Sequence, residues 1–174
     1  MAYSHDPFDI LLGHNHWGIN KLLEACKPLS EADFHKPFNI GPGTLHDTLT
    51  HSIGAILRWS DRIDGRALRP SIEGRKPGEP KPMTRRTPDQ LIQLNDEACR
   101  DFADVVRRAR PKLAEVRDWT FGDKTYRFTV SAAIIHVTNH GMHHRAQCMN
   151  MLKQLGRPVN ADLDELEWQI AGEP

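Results

Sequence analysis

The sequence predicts an all-α chain, a four-helix bundle with long loop connections and a small hairpin-like segment before the last long helix. Three observations carry that prediction. Apolar residues recur at helical spacing in four long stretches. Residues that start and stop helices (Ser/Thr caps, prolines, glycines) bound those stretches. No internal repeat or low-complexity run interrupts them, and 174 residues suit a single domain, 1–174, with a core of its own. Four such helices bury their apolar stripes against one another.

Taken in order, the first helix is expected from about Pro7 or Phe8 to Cys26. Pro7 suits a first-turn position, Ile10, Leu11, Trp17, Leu22 and Leu23 supply apolar surface, and Pro28 stops it. Ser30 caps a short turn through Phe34. After the Gly41-Pro42-Gly43 break, Thr44-Leu45-His46-Asp47 resembles a capping box with aspartate in place of glutamate. The second long helix follows to about Ile63, with Leu45, Leu49, Ile53, Ile56 and Leu57 inside and His51 midway along it. Asp64 to Arg86 reads as loop, because Pro70, Pro77, Pro80 and Pro82 with Gly65, Gly74 and Gly78 sustain no regular element. Its basic residues, Arg66, Arg69, Arg75, Lys76, Lys81, Arg85 and Arg86, read as a solvated connection, or else as a face for an anionic substrate. Thr87-Pro88-Asp89-Gln90 opens the third long helix, to about Ala109. Trp119–Phe121 and Thr125–Phe128 flank Gly122-Asp123-Lys124 as a hairpin or extended loop, its aromatics packing over the end of the core or overhanging a pocket. Thr129 caps a fourth long helix from about Val130 to Leu155, which Gly156 ends, and Asp162 to Ala171 suit a last short helix.

The totals exclude several classes. Lys+Arg and Asp+Glu are both 23, so no basic surplus marks a nucleic-acid or membrane-surface partner. No apolar run approaches the roughly 18 residues of a membrane span, and MAYSHDPFDI lacks the basic-then-apolar order of a signal peptide. Cys26, Cys99 and Cys148 are odd in number and widely spaced, which reads as reduced cytoplasmic thiols, with Cys148 a small buried hydrophobe. His14 and His16, two apart, point to different faces and are expected to be exposed.

Four of the ten histidines fall within nine residues of the fourth helix. His136, His140 and His144 are successive i, i+4 neighbours on one face, and His143 sits on the flank. Such a ladder suits a solvated stripe, a proton relay or a metal. Two imidazoles one turn apart grip an ion from one side, and a third ligand then comes from elsewhere. Ile134, Ile135, Val137, Met142, Met149, Met151 and Leu152 place these rings on a largely buried helix. His51 is a hydrogen-bonded core histidine or that third ligand.

Across nearly its whole length the chain resembles the DinB-like superfamily of four-helix metal-binding proteins, also called YfiT-like. The likeness is carried by His51 within LTHSIGAILRW, by NHGMHHRAQ on the fourth helix and by the following LGRP. The family pattern there is commonly NHxxxHRxQ, which Asn139, His140, His144, Arg145 and Gln147 satisfy. By this resemblance the three-histidine metal site falls on His51, His140 and His144, and His136 and His143 are outside it. Ala146 departs from the glycine frequent after His-Arg.

The resemblance implies a divalent ion, zinc or nickel, and often a homodimer. It implies chemistry on a small-molecule substrate, above all S-transfer from a low-molecular-weight thiol, with isomerase- or hydrolase-like relatives. Three imidazoles leave coordination positions open, where an ion would draw the pKa of water down to about 7 or hold a thiol as thiolate. Asn139, Arg145 and Gln147 are candidates to steady the ligands or position an anion, and Gln147 and Arg145 could equally knit helices together. A metal-dependent hydrolase and a non-catalytic metal-binding stress-response module are the alternatives.

Overall fold

The computed structural model describes residues 5–74 and 83–173. Expectations that fell on Arg75, Lys76, Pro77, Gly78, Pro80, Lys81 and Pro82 lie outside them. The described residues form six α-helices, one 3-10 turn at Arg110–Lys112 and one two-stranded antiparallel sheet. None of the helices is long and apolar enough to cross a membrane.

Capping chemistry sets the helix starts. Helix α1, Pro7–Cys26, begins where the Asp6 carboxylate accepts from the Phe8 and Asp9 amides at 2.9 and 3.3 Å. The short α2, Glu31–Phe34, is capped by Ser30. Thr44 caps α3, Leu45–Asp64, through the Asp47 amide at 2.9 Å. The box expected there is half made, since the Asp47 carboxylate meets His46 Nδ1 at 2.7 Å instead. Helix α4, Pro88–Ala109, has the full reciprocal box of Thr87 and Gln90. Strands β1, Val116–Phe121, and β2, Lys124–Thr129, pair with Trp119 opposite Tyr126 and turn through Gly122 at φ 58°. Thr129 then caps α5, Val130–Gln154, and α6, Glu165–Ile170, closes the chain.

Helix α3 packs against α4 and α5, and α1 packs against the same two, so the four long helices enclose one core. Ile19, Leu22, Leu45, Leu49, Ile53, Leu91, Phe102, Ile134 and Leu152 are buried in it. Removing each such side chain from water contributes about 1.5–3 kcal/mol. Rings of His51 and His140 approach near the start of α3, and rings of Trp59 and His136 further along it, so α3 and α5 run antiparallel. The hairpin lies at this second end, with Trp119 stacked on Phe128 and packed on Trp59. Helix α6 leans on α1 through the buried Trp168.

Candidate metal centre

Helix α3 contributes His51, and α5 contributes His140 and His144 one turn apart. One ring nitrogen from each lies within 4.8 Å of the others, a group able to hold a metal ion. The ring centroids of His51 stand 5.2 Å from His140 and 5.0 Å from His144, and the two α5 rings are 4.4 Å apart.

Hydrogen bonds on the outer side of the cluster assign the tautomers of His144 and His51. His144 Nδ1 lies 2.8 Å from Gln147 Oε1, which only accepts, so Nδ1 donates and Nε2 keeps its lone pair. His51 Nδ1 lies 3.2 Å from the Glu73 carboxylate and donates in the same way. The lone pair of His144 Nε2 then faces His140 Nε2 at 3.1 Å. Outward N–H groups held by an amide or carboxylate, with lone pairs turned inward, are what histidine ligation of a metal requires.

The electrostatics agree. Burial, reinforced by the neighbouring His144 and His51, pulls His140 down to about 3. Burial also lowers His144. Both rings are therefore neutral at pH 7. Burial alone would push Glu73 up, but hydrogen bonds from His51 and Arg58 outweigh it and hold the carboxyl at about 2. Glu73 is thus an anion tied to His51 on one side and to Arg58, at 2.8 Å, on the other. Three imidazoles whose ring nitrogens converge fit a divalent ion of borderline softness, the class that includes zinc and nickel.

Beside the cluster, α3 and α5 enclose a cavity of about 1020 Å³. His140, His143, His144, Gln147, Gly41 and Glu73 line the histidine end; Ala55, Arg58, Trp59 and Arg62 follow along α3. Phe121, Tyr126, Phe128 and His136 line the hairpin end. The hairpin aromatics thus fill both expected roles, since Trp119 packs into the core while its neighbours face the cavity. Gly41 sits at φ 53° against Gln147, where a Cβ would fall 2.1 Å from the amide oxygen that steadies His144.

Of the three residues expected to steady ligands or position an anion, Gln147 alone faces the cavity. Asn139 is exposed on the outer side of α5. Arg145 is buried against α1, where it donates to Asn15 Oδ1 at 2.8 Å and lies 3.3 Å from His14 Nε2. It therefore knits helices: successive residues of α5 point in different directions, and the one after His144 faces α1. His14 corrects a second expectation, being buried and bonded to the Leu163 carbonyl at 2.7 Å. His16 is half-exposed on Asp96, and Cys148 is buried. His136 and His143 line the cavity without joining the cluster. Sequence reasoning missed Arg58, Arg62 and Glu73. The first two follow His51 at seven and eleven residues on one face of α3, a readable signal. Glu73 comes from the loop and carried none.

No curated protein matches the chain in sequence. The DinB family model matches residues 3–173, nearly the whole chain and with it the paired helices that bring the three histidines together. On that match the chain belongs to the DinB family.

Proposed function

We propose that the chain is a metal-dependent thiol S-transferase acting on small molecules, built as a four-helix bundle. In this reading His51, His140 and His144 hold one divalent ion, zinc or nickel. The observation that carries the reading is the convergence of three imidazoles on the wall of a cavity of about 1020 Å³. That volume is at the upper end of the range that encloses a drug-sized molecule, and far exceeds what an ion and one water need. An ion there would supply Lewis acidity, lowering the pKa of a thiol so that its sulfur is nucleophilic at neutral pH.

The protein's own residues do the rest. Glu73 and Gln147 fix the His51 and His144 rings through their Nδ1–H groups, so the ligands need no reorganisation on binding. Arg58 keeps Glu73 ionised and so keeps that bond charge-assisted. Trp59, Phe121 and Phe128 form an apolar wall that excludes water from the thiol and its electrophile. The thiol sulfur replaces the leaving group on the electrophile, and the thiol proton departs to solvent.

Cobalt substitution tests this directly. Glutathione, bacillithiol and mycothiol are titrated in turn against the cobalt protein, followed by an electrophile. A thiolate-to-cobalt charge-transfer band with one thiol, and consumption of the electrophile, is the expected result. Ester or amide turnover that His144→Ala abolishes, with no thiol response, would replace this reading with a hydrolase. Silence in both assays with cobalt bound would leave a non-catalytic metal-binding module.

A further inference from the structure

From His51 to Arg62 the cavity follows α3 for about three turns, a rise of about 16 Å. Its far end holds the Arg62 guanidinium, which forms no ion pair among the described residues. The acids around Arg62 are all engaged elsewhere. Asp61 takes Arg66 and Arg69, Asp64 takes Arg108, and Glu73 takes Arg58 and His51. Among the described residues no carboxylate and no hydrogen-bond acceptor meets the Arg62 guanidinium. Its contacts are ring faces, Phe121 at 4.8 Å and Trp59 at 5.5 Å.

Stacking on rings holds a guanidinium by its face and leaves its N–H edge free. That edge is a planar fork matched to a carboxylate, which it grips through two parallel hydrogen bonds. Arg62 is half-buried and remains charged. Arg58, the other guanidinium lining the cavity, is balanced by Glu73 at 2.8 Å. Among the described residues the cavity therefore presents a guanidinium without a hydrogen-bonded anion at the hairpin end, ringed by Phe121, Tyr126 and Phe128. An anion with an apolar body satisfies both features; a neutral polar molecule satisfies neither.

We propose, building on the reading of this cavity as the substrate site, that its substrate is an amphiphilic carboxylic acid. Arg62 holds the carboxylate, the apolar body lies along Phe121, Tyr126 and Phe128, and the other end of the molecule reaches the histidine cluster. The acid spans the about 16 Å between His51 and Arg62 less the reach of two side chains. Arg62 is then the residue that selects the substrate.

Calorimetric titration with 6-phenylhexanoate and with its neutral amide tests this. The proteins are the wild type, Arg62→Gln, Arg62→Lys and His144→Ala, each with its metal content measured. In the wild type the acid is expected to bind at least tenfold more tightly than the amide. The preference should persist in metal-free His144→Ala, vanish in Arg62→Gln and fall several-fold in Arg62→Lys, which keeps the charge but loses the fork. Should Arg62→Gln fail to fold, an undiminished preference in Arg62→Lys overturns the proposal. So does equal binding of acid and amide to the wild type, binding of neither at millimolar concentration, or a preference retained in Arg62→Gln. A preference lost in metal-free His144→Ala places the carboxylate on the ion, which sinks the role of Arg62 and leaves the metal site standing. An Arg62-dependent preference in a wild type that retains no metal does the reverse.

Discussion

Helix α5 carries buried polar side chains on two sides, and the chain treats them differently. Toward α1, Arg145 donates to Asn15, His14 bonds the Leu163 carbonyl, and Gly18 and Gly141 let the helices close around them. Toward α3, His140 and His144 converge with His51, the two α5 rings meet at 3.1 Å, and a cavity of about 1020 Å³ lies beside them. Burying polar groups costs several kcal/mol unless they find partners. The α1 side finds its partners within the chain and so belongs to the fold. The α3 side turns three imidazoles toward one another beside open space, a group able to hold an ion, and that is the difference from the closed network on the other side.

Metal retention should break or uphold this contrast most sharply. After dialysis, His51→Ala, His140→Ala and His144→Ala are each expected to hold metal at least about 100-fold more weakly, since a ligand's loss exceeds the about 10–100-fold cost of losing its hydrogen-bond partner. Arg145→Met, adjacent in sequence, should keep its metal. It should instead lose about 1–3 kcal/mol of stability, because Asn15 Oδ1 is left buried without its donor. Metal loss in Arg145→Met with an unchanged melting temperature would abolish the distinction.

A smaller effect sharpens it from the loop. Glu73 accepts from His51 and holds that ring's lone pair toward the cluster. Glu73→Gln preserves shape but removes the charge, and metal affinity should fall by about 10–100-fold. Inductively coupled plasma analysis against graded chelator would read it. An affinity equal to wild type would make Glu73 only a partner of Arg58.

These residues also show how far the sequence could be read. Local chemistry was legible: the Thr44, Thr87 and Thr129 caps fall where the side chains suggested, and the four long helices run within a residue or so of their expected bounds. Capping and apolar spacing act over one or two turns, so a single stretch of sequence contains them. The meeting of His51 with His140 and His144 was reached through a resemblance, because nothing local links residues some 90 positions apart. For the same reason Arg145 kept two readings open and His14 was misjudged. Their partners lie across the α1–α5 contact, about 130 positions away, and no periodicity reports which helix a given side faces. Glu73 was illegible because a loop acid acquires meaning only when the loop folds back on α3.

Stability alone measures the next contrast. A Cβ on Gly141 would fall 2.1 Å from Asn15 Oδ1, so Gly141→Ala must displace the buried Asn15 side chain from Arg145 or push α1 from α5. Alanine favours the helix by about 1 kcal/mol over glycine. Overpacking should outweigh that, for a net loss of about 1–2 kcal/mol and a fall of about 2–8 °C in melting temperature. A rise would show that the α1 side is looser than its hydrogen bonds imply. Metal content should be unchanged.

The smallest effect comes from a third buried polar cluster, which tests whether partners within the chain suffice to mark a group as structural. Asp61 is buried near the end of α3 and accepts from Arg66 and from the Arg69 side chain and amide. Burial alone would raise its pKa, but these bonds outweigh burial and lower it. An unfolded aspartate titrates near 3.9, so the folded state holds fewer protons than the unfolded one below that pH. The stabilisation is therefore complete at neutral pH and is lost as pH falls from about 4 through the lower folded value. Asp61→Asn should cost about 1 kcal/mol at pH 7, because Arg66 and Arg69 keep Asp101 and solvent as partners. Melting curves of the two proteins should draw together as pH drops from 7 toward 3, with metal content at pH 7 equal in both. A gap that stays constant over that range would mean that Asp61 acts through shape rather than charge. Metal loss in Asp61→Asn would mean that satisfied and unsatisfied clusters are coupled, and that the two sides of α5 cannot be considered separately.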